Sequence, residues 1–307
     1  MSEPQIMSRG RLAGFDDRMG RNTNEDKRAA LFRETPYEVC MRTLLGTAWV
    51  LKPQRARTLA PLARHWLTDL FGGGGALPAS DAAPANGELA GIARDLSVPT
   101  LMAGYRRGLF PHGHVGPAKW LSPVMRGFLD LDAFRISSRL RSMMRQGRYR
   151  ITFDQDFENV IKGCAGRRPG QWHLTWITPR IMHSYAKLHD AGHVQSFEVW
   201  NDRRELAAGG YGVAVGRTFV IEPQFFRESN ASKIGFSVLA WHLANWGFVL
   251  ADNKWLTPIT AQMGFREIPR AEYLRRLSAL ADDPVHPGRW EAEEDSKFVA
   301  DWRPATR

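Results

Sequence analysis

The chain has 307 residues, 43% hydrophobic and 24% charged, which is the composition of a folded globular protein rather than a disordered chain. Its formal charge of +10 leaves two readings open: a solvated basic surface, or a surface that attracts an anionic partner such as nucleic acid. The two cysteines, Cys40 and Cys164, lie too far apart in sequence to suggest a thiolate metal site or a disulfide framework. No apolar run approaches a membrane span, and the charged N-terminus lacks a signal core, so a reducing cytoplasm is the expected location.

Residues 1–35 are polar and charged and read as a disordered tail. Over 36–71, Leu44, Leu45, Trp49, Leu51, Leu59, Leu62, Trp66 and Leu70 recur at near-helical spacing, interrupted at Pro53 and Pro61. This predicts short amphipathic helices. The glycine run at 72–75 and the Ala/Pro/Asn-rich stretch after it read as a linker over 72–96. A small N-terminal subdomain is expected over 97–148. It contains a helix from Val98 to Phe110 with Thr100 as its cap, and a second from Ser137 to Gly147.

From 149 to 280 the pattern predicts the main domain. Tyr149 to Phe153 alternates as a strand, and Phe157 to Cys164 is helical. Thr178-Pro179 starts a helix that stops at Gly192. Gln195 to Trp200, Glu205 to Val215 and Arg217 to Glu222 read as three strands. Asn230 opens a long helix ending at Gly247, followed by a strand from Phe248 to Trp255 and a short helix from Pro258 to Met263. The order describes an α+β layer, a mixed sheet covered by helices. Residues 281–307 read as a C-terminal tail.

Several segments, in order, resemble the leucyl/phenylalanyl-tRNA–protein transferase family. They are Leu101 to Pro111 (LMAGYRRGLFP), Trp120 to Pro123 (WLSP), the Arg-rich stretch after Ile136-Ser137, and Tyr149 to Cys164 (YRITFDQDFENVIKGC). They continue with Thr175 to Pro179 (TWITP), Tyr185 to Trp200, Ala231 to Lys233 (ASK) and Asp252 to Gly264. The likeness spans about residues 97–280. It implies a GNAT-type acyltransferase domain preceded by a small helical subdomain. It also implies transfer of a Leu- or Phe-like amino acid from aminoacyl-tRNA to a protein N-terminus, as in N-degron tagging for protein degradation. An ester donor is already activated, so neither a cofactor nor a metal is expected. The pairs His112/His114 and His189/His193 have metal-compatible spacing but no third ligand. No membrane partner is expected, and a monomer is favoured.

By resemblance, Asp252 holds the incoming amine, and Glu222 contacts the adenosine end or the donor amino acid. Lys254 stands where the family has Gln, and a lysine ammonium only donates hydrogen bonds. Near the amine it would lower the amine's pKa and repel basic acceptors, unless it points to solvent. Ile221 replaces Gly and Gln224 replaces Met in the donor pocket, which predicts a shifted or relaxed donor preference. Trp120, Trp176 and Tyr185 match aromatic positions suited to stacking on adenine. Ser232 would present its hydroxyl or backbone amide to substrate. Arg139, Arg141, Arg145, Arg148 and Arg150 form a broad basic patch for the tRNA acceptor stem, or a solvated face. Two other readings remain: an inactive relative that binds tRNA or a peptide, and a GNAT-type enzyme using acyl-CoA.

Overall fold

The computed structural model describes residues 25–52, 67, 77–79, 81–113, 117–167, 174–283, 286 and 288–304. The predicted helical positions at Leu59, Leu62, Trp66 and Leu70, and most of the linker's glycines, lie outside them, as does His114.

The N-terminal region is more ordered than its composition predicts. Residues 25–31 form a helix (α1). Phe32, just after it, is fully buried, and its ring packs edge-on against His183 at 5.1 Å. Arg28 reaches two carboxylates, Glu158 and Asp190. The expected disordered tail of 1–35 is therefore corrected over 25–35: one buried aromatic and one bifurcated ion pair anchor it. Helix α2, Pro36–Val50, follows as a single helix with Thr35 and Glu38 forming a capping box.

The end of the expected linker is a strand. Three short strands, β1 (Leu89–Ile92), β2 (Phe110–His112) and β3 (Lys119–Leu121), form an antiparallel sheet in the order β1-β3-β2. Helix α3, Val98–Arg106, is shorter than predicted because the chain turns at Gly108 (φ +70) and Phe110 joins β2. Ser97, not Thr100, is its cap position.

The main sheet has seven strands. They are β4 (Met125–Asp130), β5 (Arg150–Phe153), β6 (Val194–Trp200), β7 (Leu206–Val215), β8 (Thr218–Phe226), β9 (Leu250–Lys254) and β10 (Arg266–Pro269). Their order is β10-β4-β9-β8-β7-β6-β5. Neighbours are antiparallel except β8 and β9, which are parallel, so the sheet is mixed. Strand β4 comes from the segment assigned by sequence to the small subdomain, so that boundary does not hold: β4 pairs with both β9 and β10.

Helices cover both faces. On one side lie α3, α5 (Phe157–Ala165) and α6 (Pro179–Asp190), the last starting with Pro after the Thr178 cap. On the other lie α4 (Ser138–Arg145, capped by Ser137) and α7 (Ala231–Asn245). Helix α7 crosses over between the two parallel strands β8 and β9. Helices α8 (Pro258–Gln262) and α9 (Arg270–Leu280) complete the domain around β10. The expected C-terminal tail is packed rather than free. Trp290, Val299 and Ala300 are buried, and the short helix α10 (Ser296–Val299) lies on α4 and α7. Among the described residues no helix is long and apolar enough to cross a membrane.

Candidate active site

Strands β8 and β9 pair only from Thr218 to Val220 against Leu250 to Asp252. Beyond that they separate, and the residues that follow on each line an opening. Its wall comes from the ends of β8 and α5, the start of α7 and the segment after β9. The cavity is about 800 Å³ and is lined by Ile221, Glu222, Gln224, Ser232 and Asn253 among others. The structure thus brings together four residues singled out in the sequence: Ile221, Glu222, Gln224 and Ser232.

One side of the cavity is apolar. Ile221, Phe236, Met263 and Phe265 pack there with Ile259 at the rim. Gln224 shares this side, lying across β7 at Gly210. A Cβ at Gly210 would stand 2.5 Å from Gln224 Cγ and 2.7 Å from the Phe197 ring, so a larger residue would push Gln224 into the cavity.

Glu222 forms the polar floor. It is 3% exposed. Its Oε1 accepts from Lys254 Nζ at 2.7 Å and from the Tyr105 hydroxyl at 2.6 Å, and the Tyr185 hydroxyl is bonded to Tyr105 behind it. Its Oε2 is buried and has no hydrogen-bond partner among the described residues, and the same holds for the neighbouring Tyr211 hydroxyl. An unpaired buried carboxylate oxygen costs at least about 1–3 kcal/mol, so a donor hydrogen from a ligand would be taken up there favourably. Burial, and then the Glu222 charge, push the hydroxyls of Tyr105, Tyr185 and Tyr211 well above the usual tyrosine range, so all three stay neutral donors.

Lys254 is buried, neither facing solvent nor aimed at an incoming basic residue. Its ammonium donates to Ile221 O at 2.6 Å as well as to Glu222, which ties β9 to β8 across the fork. Burial lowers its pKa, and Glu222 offsets that in part. The expected repulsion of basic acceptors took no account of this carboxylate, which lies 2.7 Å away and compensates the cation. Lys254 has φ +65, a left-handed conformation costing about 1 kcal/mol for a non-glycine residue. Its backbone N–H donates to Asp252 Oδ1 at 2.8 Å, which holds that turn.

Asp252 itself is fully buried and does not line the cavity. Arg126 on β4 grips it through two bonds of 2.8 and 2.6 Å, and the Tyr273 hydroxyl adds a third at 2.8 Å. Burial alone would raise the carboxyl's pKa; the guanidinium more than offsets this and leaves it below the usual carboxylate range. Resemblance had Asp252 hold the amine; here both its oxygens are already bound, and through the Lys254 amide it fixes the turn that carries that residue.

The aromatic candidates divide. Trp120 is 2% exposed, packed where a Cβ on Gly104 would meet its ring at 2.7 Å, so it has no face to offer an adenine. Tyr185 is fully buried and acts on Glu222 through Tyr105. Trp176 is half-buried and does not line the cavity; it sits 5.0 Å from His112, which contacts Trp255 in turn. Of the basic patch, Arg141 is buried and donates to the carbonyls of Ile136, Ala300 and Trp302, while Arg145 pairs with Asp301. These two fasten the C-terminal segment. Arg139, Arg148 and Arg150 remain exposed. Sequence reasoning missed Arg126, Tyr105, Tyr211 and Tyr273. Tyr105 sat inside a quoted motif, whereas nothing local marked the other three.

The chain matches the family model for leucyl/phenylalanyl-tRNA protein transferase over residues 128–278, and the model of that family's N-terminal domain over 94–124. It is 45% identical over 192 residues to the leucyl/phenylalanyl-tRNA–protein transferase of Pseudomonas syringae pv. syringae (strain B728a), covering 62% of this chain and 83% of the relative. The enzyme of that name from Anaeromyxobacter sp. (strain Fw109-5) is 41% identical over 218 residues, covering 70% and 92%. Among solved structures, FemX matches with a TM-score of 0.37 and 9% identity, over 48% of this chain and 60% of that one.

Proposed function

The chain belongs to the leucyl/phenylalanyl-tRNA–protein transferase family, and from that premise we propose that it moves an amino acid from aminoacyl-tRNA onto the α-amine of an acceptor protein, with Glu222 as the group that receives the amine. The observation carrying this reading is that the buried Glu222 lines a cavity of about 800 Å³ while its Oε2 has no hydrogen-bond partner among the described residues.

In this mechanism the acceptor amine donates a hydrogen to Glu222 Oε2. Its lone pair attacks the ester carbonyl carbon, and the bond to the ribose oxygen breaks. The amine's surplus proton replaces the lost carbon on that oxygen, either directly or through solvent. The protein supplies orientation and a fixed carboxylate at the attacking nitrogen. Lys254, Tyr105 and Tyr185 hold the carboxylate in place through Oε1 and leave Oε2 for substrate. The apolar side of the cavity takes the donor side chain. Gln224 at its edge supports a donor preference shifted or relaxed from plain Leu and Phe.

The GNAT-type reading is supported by the adjacent parallel strands β8 and β9, joined by α7 and diverging after three paired residues. We take the enzyme to act as a cytoplasmic monomer, its product an N-degron-type protein. The test is direct: purified chain, a panel of tRNAs charged with labelled amino acids, and peptides with varied first residues. Label should appear on peptide N-termini, and Glu222→Gln should reduce it strongly. No transfer from any charged tRNA would overturn the assignment, and transfer untouched by Glu222→Gln would overturn the role of Glu222.

A further inference from the structure

The cavity rim is cationic. Lys162 and Arg167 at the end of α5, Arg227 after β8 and Lys233 in the first turn of α7 all line it, while among the described residues the only acidic side chain lining it is Glu222. That carboxylate is already matched by Lys254. Among the described residues Lys162, Arg227 and Lys233 form no ion pair. Arg227 lies over the Phe225 ring at 5.3 Å and donates to Leu206 O, which holds its guanidinium at the mouth. Ser232 and Lys233, in the first turn of α7, line the same space. A helix leaves these donors without intrahelical partners, and Asn230 adds no side-chain cap to them.

Like charges gathered at one opening repel one another, and a polyanion relieves that repulsion. The ester of an aminoacyl-tRNA sits one ribose from the first phosphodiester of the strand. A carbonyl placed against Glu222 therefore puts the next phosphates at the rim, within reach of long basic side chains. Resting on the aminoacyl-tRNA reading above, we propose that Lys162, Arg227 and Lys233, with Arg167, hold the phosphates of the donor's single-stranded 3′ end. Phosphate contacts, to the acceptor stem, had been expected of Arg139, Arg141, Arg145, Arg148 and Arg150, of which Arg141 and Arg145 bond to the C-terminal segment.

The test compares two triple variants, Lys162→Gln/Arg227→Gln/Lys233→Gln at the rim and Arg139→Gln/Arg148→Gln/Arg150→Gln on the exposed basic face. Each is assayed with charged tRNA and with aminoacyl-adenosine, a donor without phosphates. Binding of uncharged tRNA is followed across a salt series, and the single Lys233→Gln variant stands in if the rim triple fails to fold. The rim triple should lose about 10- to 100-fold in kcat/KM with tRNA, at least tenfold more than it loses with aminoacyl-adenosine. Its log–log salt slope for tRNA binding should fall by about 0.7 for each phosphate contact removed. Equal losses on both donors, an unchanged salt slope, or a slope carried by the other triple alone would each overturn the proposal. If the wild type transfers from neither donor, the function above fails, while the tRNA-binding series still decides this inference.

Discussion

Asp252 and Glu222 are both buried carboxylates on adjacent strands, each held by a cation from across a strand pair, yet they differ in what is left over. Both Asp252 oxygens are bound, by Arg126, Tyr273 and the Lys254 amide. Glu222 is held through Oε1, its Oε2 has no partner among the described residues, and the residue lines the cavity. A motif locates a carboxylate, but its partners decide whether it is structural or reactive. Asp252 stabilises the turn that delivers Lys254, and Lys254 in turn holds Glu222.

The comparison breaks most readily at Asp252. Asp252→Asn leaves a buried guanidinium without its counter-charge, and the expected loss is about 3–5 kcal/mol in urea or thermal unfolding. The acid branch tests the same pair. The folded carboxyl titrates below the ordinary aspartate range, so its contribution is present above the unfolded value and disappears as pH falls through the folded value. Wild-type stability should therefore drop more steeply below about pH 4 than that of the Asn variant. If Asp252→Asn loses transfer with no loss of stability, Asp252 touches substrate and the contrast is wrong.

Glu222→Gln should show the opposite pattern. The amide keeps the volume, and the buried Lys254, unlike Arg126, can shed its proton once its counter-charge is gone, so the unfolding midpoint should fall less than for Asp252→Asn while kcat/KM falls about 100-fold. A smaller effect again is expected from Gln224→Met, which makes the apolar side of the cavity uniform. Preference for Leu or Phe donors over polar ones should rise about tenfold, read as a kcat/KM ratio. The smallest concerns Lys254→Gln. Because the ammonium is spent on Glu222 and Ile221 O, the ranking of Arg-, Lys- and Leu-starting peptides should shift by less than about threefold. A large rise for basic acceptors would show that the Lys254 charge reaches the substrate after all.

Much of the fold was readable in the chain. Thr178-Pro179 started α6, Ser137 capped α4, and the alternation of β6 and β7 marked strands, because capping and period-2 burial are properties of a few consecutive residues. The extent of α3, the strand β1 and the ordered 281–304 region were not readable, since each depends on a distant partner: β3 for β1, α4 and α7 for the C-terminal segment. In the site, sequence placed Ile221, Glu222, Gln224 and Ser232 around one cavity. It could not tell which aromatic had a free face, nor that Trp120 was already enclosed by Gly104.

The sequence by itself determined the kinds of groups present, the order of the elements and the family likeness, all of which are encoded in residue identity and spacing. Only the tertiary structure decided which charge meets which. Arg126 lies 126 residues from Asp252, and Tyr105 lies 117 from Glu222. Electrostatic compensation acts through ångströms of space rather than through chain position, so the division between a closed carboxylate and an open one appears only once the strands are laid side by side.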